Sequence, residues 1–346
     1  MQLGMGLPTI EDRIAQMAAV LTIQPSIDPI FHEDSYGYRP NKSAHDAVAA
    51  AQKRCFRYAW VLDMDISRFF DTIDHELLMK AVRCHVKENW VLMYIERWLK
   101  VPYQQSNGER IERTMGVPQG SVIGPLLANL FLHYVFDKWM TIYYPHIPFE
   151  RYADDTICHC GTEEKAKTLL AAIKVRFEEC HLELNESKTK IVYCKTSKRG
   201  GSYKNMSFDF LGFTFRPRGA KDRRSNVLFT SFLPAISKKS ARNIREEIRR
   251  WNLSSKRYVG METIANEYNP VIRGWVNYYG KFGKTEFRKV MKYLNKVIAY
   301  WIKKKYKRYA RKSVIAAYYR LAAIAVTFKP FYHWQKGYIP YGRAKV

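Results

Sequence analysis

Two acidic pairs set in apolar surroundings constrain this chain more than any other feature. Trp60-Val61-Leu62-Asp63-Met64-Asp65-Ile66 reads as a short strand, and side chains alternate along a strand, so Asp63 and Asp65 share one face. Carboxylates on a core-like strand are costly to bury unpaired. The second pair lies in Phe149 to Cys160, which reads as two short strands around Tyr152-Ala153-Asp154-Asp155, with Asp154 and Asp155 at the hairpin. Like carboxylates crowd together only when protons or a cation relieve their repulsion, and hard divalent ions such as magnesium take oxygen ligands. Each pair alone still allows a plainer reading: an ion pair at Asp63, or a solvated turn at Asp154-Asp155.

Charge is distributed unevenly. Of 58 Lys and Arg and 32 Asp and Glu, the segment from Pro234 onward holds 27 basic and 5 acidic residues, leaving the first two-thirds close to neutral. Such a block implies a polyanionic partner, because lysines and arginines neutralise phosphates. Trp275, Tyr278, Tyr279, Tyr300, Trp301, Tyr306 and Tyr309 are interleaved with the basic residues, and the rings either stack on bases or form the core of a helical bundle. Six scattered cysteines do not make a secreted disulfide framework and no signal peptide is apparent, so the expected compartment is the cytoplasm. The longest apolar run, Ser121 to Met140, is interrupted by Pro125, Asn129, Asp137 and Lys138, and no membrane span is expected. Cys158-His159-Cys160 alternates as a strand would and lacks a second ligand pair with zinc spacing.

Periodicity predicts helices over 9–24, 43–54, 75–86 and 162–180, a helix opening at Ser121, and strands at Trp60–Ile66, Thr189–Cys194 and Phe208–Phe215. Gly108 marks a hairpin, and residues 199–207 and 216–226 read as loops. From Ser237 the pattern is helical throughout, at about 237–251, 258–280 and 285–312. Strands and helices alternate without strict β-α-β order, so the fold class is α+β, with a boundary near residue 230.

The ordered blocks Asp65-Ile66-Ser67-Arg68-Phe69-Phe70-Asp71, Val117-Pro118-Gln119-Gly120-Ser121, Tyr152-Ala153-Asp154-Asp155, Leu184-Asn185-Glu186-Ser187-Lys188-Thr189-Lys190 and Phe210-Leu211-Gly212-Phe213 resemble the successive motifs of a reverse transcriptase. Gly6-Leu7-Pro8-Thr9 with Asp12-Arg13, Tyr36-Gly37-Tyr38-Arg39-Pro40, Pro125-Leu126-Leu127-Ala128-Asn129 and Asn269-Pro270-Val271-Ile272-Arg273-Gly274-Trp275 are similar to the group II intron reverse transcriptase/maturases. The resemblance covers nearly the whole chain. It implies a right-hand polymerase, with partial fingers at 1–58, a palm at 59–232, an all-helical thumb or domain X at 233–312 and a basic C-terminal tail at 313–346.

The resemblance also implies roles. Asp65, the Ile66 carbonyl, Asp154 and Asp155 would hold Mg2+. Lys188 would protonate the leaving pyrophosphate. Phe70 would block a 2′-hydroxyl, Gln119 and Gly120 would lie against nucleotide or template, and Arg13 and Arg39 would contact triphosphate or template. Lys303, Lys304, Lys305, Lys307 and Arg308 would bind nucleic acid. For most of these a plain alternative stands: a core Phe, a turn, a surface lysine or an ion pair. The implied partners are group II intron RNA, an RNA template with a DNA primer, deoxynucleoside triphosphates and a DNA target. The implied activity is RNA-directed DNA synthesis with assistance to splicing, and the alternative is a splicing-only maturase or RNA chaperone. A basic residue usual before Gly-Leu-Pro-Thr is replaced by Met1-Gln2-Leu3-Gly4-Met5, and no Cys- and His-bearing nuclease module follows, so second-strand cleavage is not expected.

Overall fold

The computed structural model describes residues 8–104, 108–118, 120–221 and 225–341. The chain forms two compact units: Met1–Phe208 with Pro217–Phe232, and Asp209–Arg216 with Leu233–Val346.

The first unit opens with helices α1 (Ile10–Ile27) and α2 (Ala44–Arg57). Thr9 caps α1 by accepting from the Asp12 amide, and Ser43 with Asp46 forms a reciprocal capping box on α2, so the starts of both helices are set by local sequence. Strand β1 (Trp60–Met64) follows, then α3 (Phe69–Thr72), α4 (His75–Arg83), α5 (Asn89–Lys100), the short strands β2 (Tyr103–Gln104) and β3 (Arg110–Ile111), and α6 (Gly124–Leu132). A π-helical stretch, His133–Asp137, joins α6 to α7 (Lys138–Tyr143); then come β4 (Phe149–Tyr152), β5 (Asp155–Cys160), α8 (Glu163–Glu179) and β6 (Lys190–Tyr193). The main sheet is antiparallel with order β4-β5-β1-β6. Every residue of β1 is buried, as expected of a strand with a neighbour on each side, and α8 packs on the sheet through Ala166, Leu169, Ile173 and Phe177. Asp63 is tolerated in β1 because Lys190 on the neighbouring strand reaches its carboxylate at 3.4 Å.

Strands β7 (Phe208–Phe210), β8 (Phe213–Lys221) and β9 (Leu228–Ile236) are divided between the units. The second unit is otherwise helical: α9 (Lys238–Arg250), α10 (Met261–Tyr279), α11 (Lys284–Lys305), α12 (Lys307–Ala310), α13 (Val314–Thr327) and α14 (Tyr332–Gln335). Helix α11 is its axis, burying Phe287, Val290, Met291, Leu294, Ile298 and Trp301 at three- and four-residue spacing against α9 and α13.

Three sequence expectations need revision. Residues 216–221, read as loop, continue β8; the stretch is exposed or half-buried and has no apolar alternation to announce a strand. The helix expected over 285–312 breaks at Tyr306, inside the run Lys303-Lys304-Lys305-Tyr306-Lys307-Arg308, where like charges at helical spacing repel. Residues 313–341, read as a tail, carry α13 and α14, and Phe331, Trp334 and Tyr338 are buried in the second core. Asn295 holds this segment by accepting from Trp334 Nε1 at 2.7 Å and donating to the Tyr338 carbonyl at 3.0 Å.

Candidate active site

The β4-β5 hairpin is closed by Ala153-Asp154, with Tyr152 paired to Asp155 and Ala153 in the left-handed region at φ 56°. Its neighbour β1 runs antiparallel to β5, with Met64 opposite Thr156. The register ends there, so Asp65, the residue after β1, and Asp155, the first residue of β5, lie at the same end of the sheet. Asp154 at the tip is close enough to Asp65 to respond to its charge. Burial pushes the Asp154 carboxyl up, its own backbone hydrogen bond opposes this, and the charge of Asp65 pushes it up further. The three aspartates from two sequence blocks therefore lie at one end of the sheet. Among the described residues, no three His, Cys, Asp or Glu side chains stand in a ready metal-binding arrangement.

A cation of the protein's own is present there. The Lys188 ammonium donates to Asp65 Oδ2 at 3.0 Å. Backbone pairing accounts for this contact across 123 residues: the Asn185 amide donates to the Asp65 carbonyl at 2.8 Å, the Ser67 amide donates to the Glu183 carbonyl at 2.8 Å, and Ile66 bridges to Leu184. The block 184–188 is thus laid along the end of β1. Phe70 is half-buried, edge-on to Phe69 at 5.3 Å, and its carbonyl accepts from the Val117 amide at 2.7 Å. Gly116 is pinned to the same turn: its amide donates to Ile73, and a β-carbon on it would lie 2.7 Å from the Asp71 carbonyl oxygen. This anchors the segment that reaches Gly120, an exposed residue at φ 90° that favours glycine. Gln119 lies outside the described residues.

Sequence reading missed the groups that hold the hairpin. Arg151, the residue before Tyr152, is fully buried. It donates to both carboxylate oxygens of Asp137 (2.7 and 2.5 Å), to Asn129 Oδ1 (2.9 Å), to Ser35 Oγ (2.8 Å) and to the Ala153 carbonyl (3.2 Å). Asn129 Nδ2 donates in turn to the Gly37 carbonyl at 2.7 Å. Gly37 lies so close to the turn that a β-carbon there would be 2.5 Å from the Ala153 nitrogen, which explains the glycine in Tyr36-Gly37-Tyr38. Beside this network Glu150, also buried, accepts from Arg54 at 2.7 Å and pairs with His159 at 2.6 Å. A sequence signal for these groups is present, since Glu150, Arg151 and His159 are polar residues flanked by apolar ones in strands that the fold buries.

Two expected substrate contacts sit differently. Arg39 does not reach outward: its guanidinium is nearly buried, donating to the Asp28 carboxylate at 2.9 Å and to the carbonyls of His32, Ser35 and Asp28, so its donors are spent on holding its own segment. Arg13 is exposed near the start of α1, with Nε donating to the Pro8 carbonyl at 3.3 Å. In the second unit Lys304, Lys307 and Arg308 are exposed and Lys303 is half-buried. Lys305 is half-buried and donates to the carbonyls of Arg257 and Val259.

Residues 2–215 match the profile of the reverse transcriptase (RNA-dependent DNA polymerase) family, which is more than half of the chain. The chain belongs to the reverse transcriptase family. Residues 241–319 of this reverse transcriptase match the group II intron maturase-specific domain, and together the two matches mark a group II intron-encoded reverse transcriptase/maturase. Its relatives include protein YkfC of Escherichia coli, 29% identical, with 69% of this chain and 68% of the relative covered. The group II intron-encoded protein LtrA of Lactococcus lactis is 32% identical over 129 residues, 37% of this chain and 21% of that protein. A putative COX1/OXI3 intron 2 protein of Saccharomyces cerevisiae is 28% identical, covering 40% and 16%. The chain thus spans only a fraction of the length of the intron-encoded relatives. Among solved structures, telomerase from Candida albicans with a fragment of telomeric RNA aligns at TM-score 0.47 and 11% identity, over 92% of this chain and 55% of that one. Among the described residues, no helix is long and apolar enough to cross a membrane.

Proposed function

We propose that the chain copies group II intron RNA into DNA, extending a DNA primer on the RNA template with deoxynucleoside triphosphates, and that it assists the splicing of the same RNA and meets a DNA target. What supports this reading is that Asp65 lies at the sheet end that carries the Asp154-Asp155 hairpin, with its charge felt by Asp154 and its carboxylate paired to Lys188. The aspartates' hard oxygen donors fit magnesium, and a cation offsets the burial and the Asp65 charge that push Asp154 up. Asp65, the Ile66 carbonyl, Asp154 and Asp155 would hold it. Bound there, magnesium supplies activation of the primer hydroxyl and neutralisation of charge on the departing pyrophosphate.

The chain's own groups do the rest. Lys188 delivers a proton to the leaving pyrophosphate oxygen. The Phe70 ring fills the space a 2′-hydroxyl needs, so deoxynucleotides are selected. Gly120, lacking a β-carbon, lets backbone approach the nucleotide, with Gln119 beside it and Arg13 toward the phosphates. Lys303, Lys304, Lys307 and Arg308 neutralise RNA phosphates. The functional division runs as fingers 1–58, palm 59–232, thumb 233–312 and a C-terminal part 313–346. Free thiols and an RNA partner suit the cytoplasm.

Primer extension on an RNA template tests this reading. The wild-type chain extends the primer and the Asp154→Ala/Asp155→Ala variant does not. A wild-type chain that stimulates intron splicing without extending any primer would establish the splicing-only function instead.

A further inference from the structure

The second unit holds a cavity of about 560 Å³ between α9 and α10, in the size range of clefts that take small ligands. Its wall includes the end of a ring stack. Tyr268 lies against Trp251 with centroids 4.2 Å apart and planes at 18°, and Trp251 lies against Trp275 at 5.4 Å and 10°. Tyr268 and Trp251 are buried, whereas Trp275 is half-buried and lines the cavity. The stack is held in place from both sides. Lys256 donates to Tyr268 Oη at 2.7 Å, and Glu247 accepts from Trp251 Nε1 at 3.3 Å while pairing with Arg250 at 3.3 Å.

We propose that this cavity captures an unpaired nucleobase of single-stranded RNA, stacked on Trp275 and extending the row Tyr268-Trp251-Trp275 by one ring. The proposal rests on the RNA-binding reading above and gives it a site. Stacking on an aromatic ring serves any base, because every base has a π face. The polar rim favours a base over a phosphate: two carboxylates, Glu246 and Glu247, face one guanidinium, Arg250, so the lining is net negative, while the Glu246 carboxylate and the Asn243 amide suit exocyclic amino and carbonyl groups. Phosphates on either side of the captured base meet exposed Arg242 and Arg250 on α9. A base inside a duplex has both faces covered by its neighbours, so the site discriminates single from double strands.

The test uses the full chain, a 12-nucleotide single-stranded RNA and a blunt RNA duplex of the same length, with affinities read by fluorescence anisotropy at fixed salt. Trp275→Leu should weaken single-strand binding roughly five- to hundred-fold, the span seen when a stacking ring is removed, and leave duplex binding within about two-fold. Trp275→Phe should restore most of the loss. Equal losses on both RNAs, or no loss on either, overturn the proposal. A wild-type chain that binds neither RNA removes the RNA-binding reading and this site with it. Should Trp275→Leu melt far below the parent, wild-type protein crosslinked to single-stranded RNA carrying 5-iodouridine decides the matter: adducts on Trp275 or Tyr279 support the site, and adducts found only elsewhere refute it.

Discussion

The Lys188 ammonium lies 3.0 Å from Oδ2 of Asp65, so one carboxylate of the proposed metal set already carries a charge partner from the protein itself. The Lys188 side chain is exposed and that of Asp65 partly so, so water reaches and screens the pair. Lys188 and magnesium then compete for the same oxygen. In Lys188→Ala, the magnesium concentration giving half-maximal primer extension should fall, while the maximal rate drops about a hundred-fold through loss of the proton donor. A magnesium titration of single-nucleotide extension separates the two effects; a higher magnesium requirement would show that Lys188 helps to gather the carboxylates.

Burial, aided by the Asp65 charge, holds the Asp154 carboxyl above the ordinary aspartate range. The native chain therefore keeps this proton more tightly than the unfolded chain, and stability falls as pH rises from the unfolded value of about 3.9 through the folded one. Asp154→Asn should melt above the parent at pH 7 in a chelator, and the advantage should vanish below both values. Magnesium should raise the melting temperature of the parent and leave that of the variant unchanged. Thermal scans with and without magnesium read both results, and a variant that melts lower at pH 7 would contradict the assignment.

Arg151 and Asp137 are both fully buried, and each is the other's charge partner. Arg151→Met leaves a bare carboxylate in the core and should destabilise the first unit by about 3–5 kcal/mol. Arg151→Met with Asp137→Leu should recover most of that loss, because the stranded charge is gone. Urea unfolding of the single and double variants gives the comparison. The recovered double variant should still extend primers poorly, since the Ala153 carbonyl has lost its donor.

Phe70→Ala should raise ribonucleotide incorporation more than it lowers deoxynucleotide use. The ring is half-buried against Phe69, so some stability will be lost, but a mere core role would slow both sugars equally. Single-nucleotide extension with matched ribo- and deoxynucleotides distinguishes the two, and an unchanged ratio removes Phe70 from the site.

With 27 basic residues from Pro234 onward, RNA affinity should drop roughly three to five decades between 50 and 200 mM salt if 6 to 10 phosphates are neutralised. Asp154→Ala with Asp155→Ala should keep that slope, because removing negative charge does not weaken phosphate attraction. A double variant that loses RNA affinity altogether would place RNA binding at the carboxylates.

The candidate carboxylates stand out in the sequence because charge within a core-like strand is conspicuous; β1 is buried throughout and β4 and β5 nearly so, without in-and-out alternation. What holds them was harder to read. Arg151 stands beside the Tyr-Ala-Asp-Asp box, yet its partners Ser35, Asn129 and Asp137 come from three other segments, and no local periodicity announces such a meeting. For Arg39 the sequence leaves a substrate contact and an ion pair both open, and only the structure shows the pair with Asp28 and the three carbonyls around it. The residues after 313 were read by charge, which hid the buried positions Ala317, Leu321 and Ala325 on one face of α13.

The position of β1 in the middle of the main sheet also fixes an order of events during synthesis. Trp60–Met64 leaves the ribosome long before its partners, and it must wait for Cys160 and then for Tyr193 before both of its edges are paired. Contacts so distant in sequence close slowly, and an apolar strand with open edges invites pairing with another chain in the interval. A nascent chain stalled before residue 160 therefore presents its stickiest segment with nothing to cover it. A pause in synthesis between α4 and α7 therefore leaves both edges of β1 unpaired.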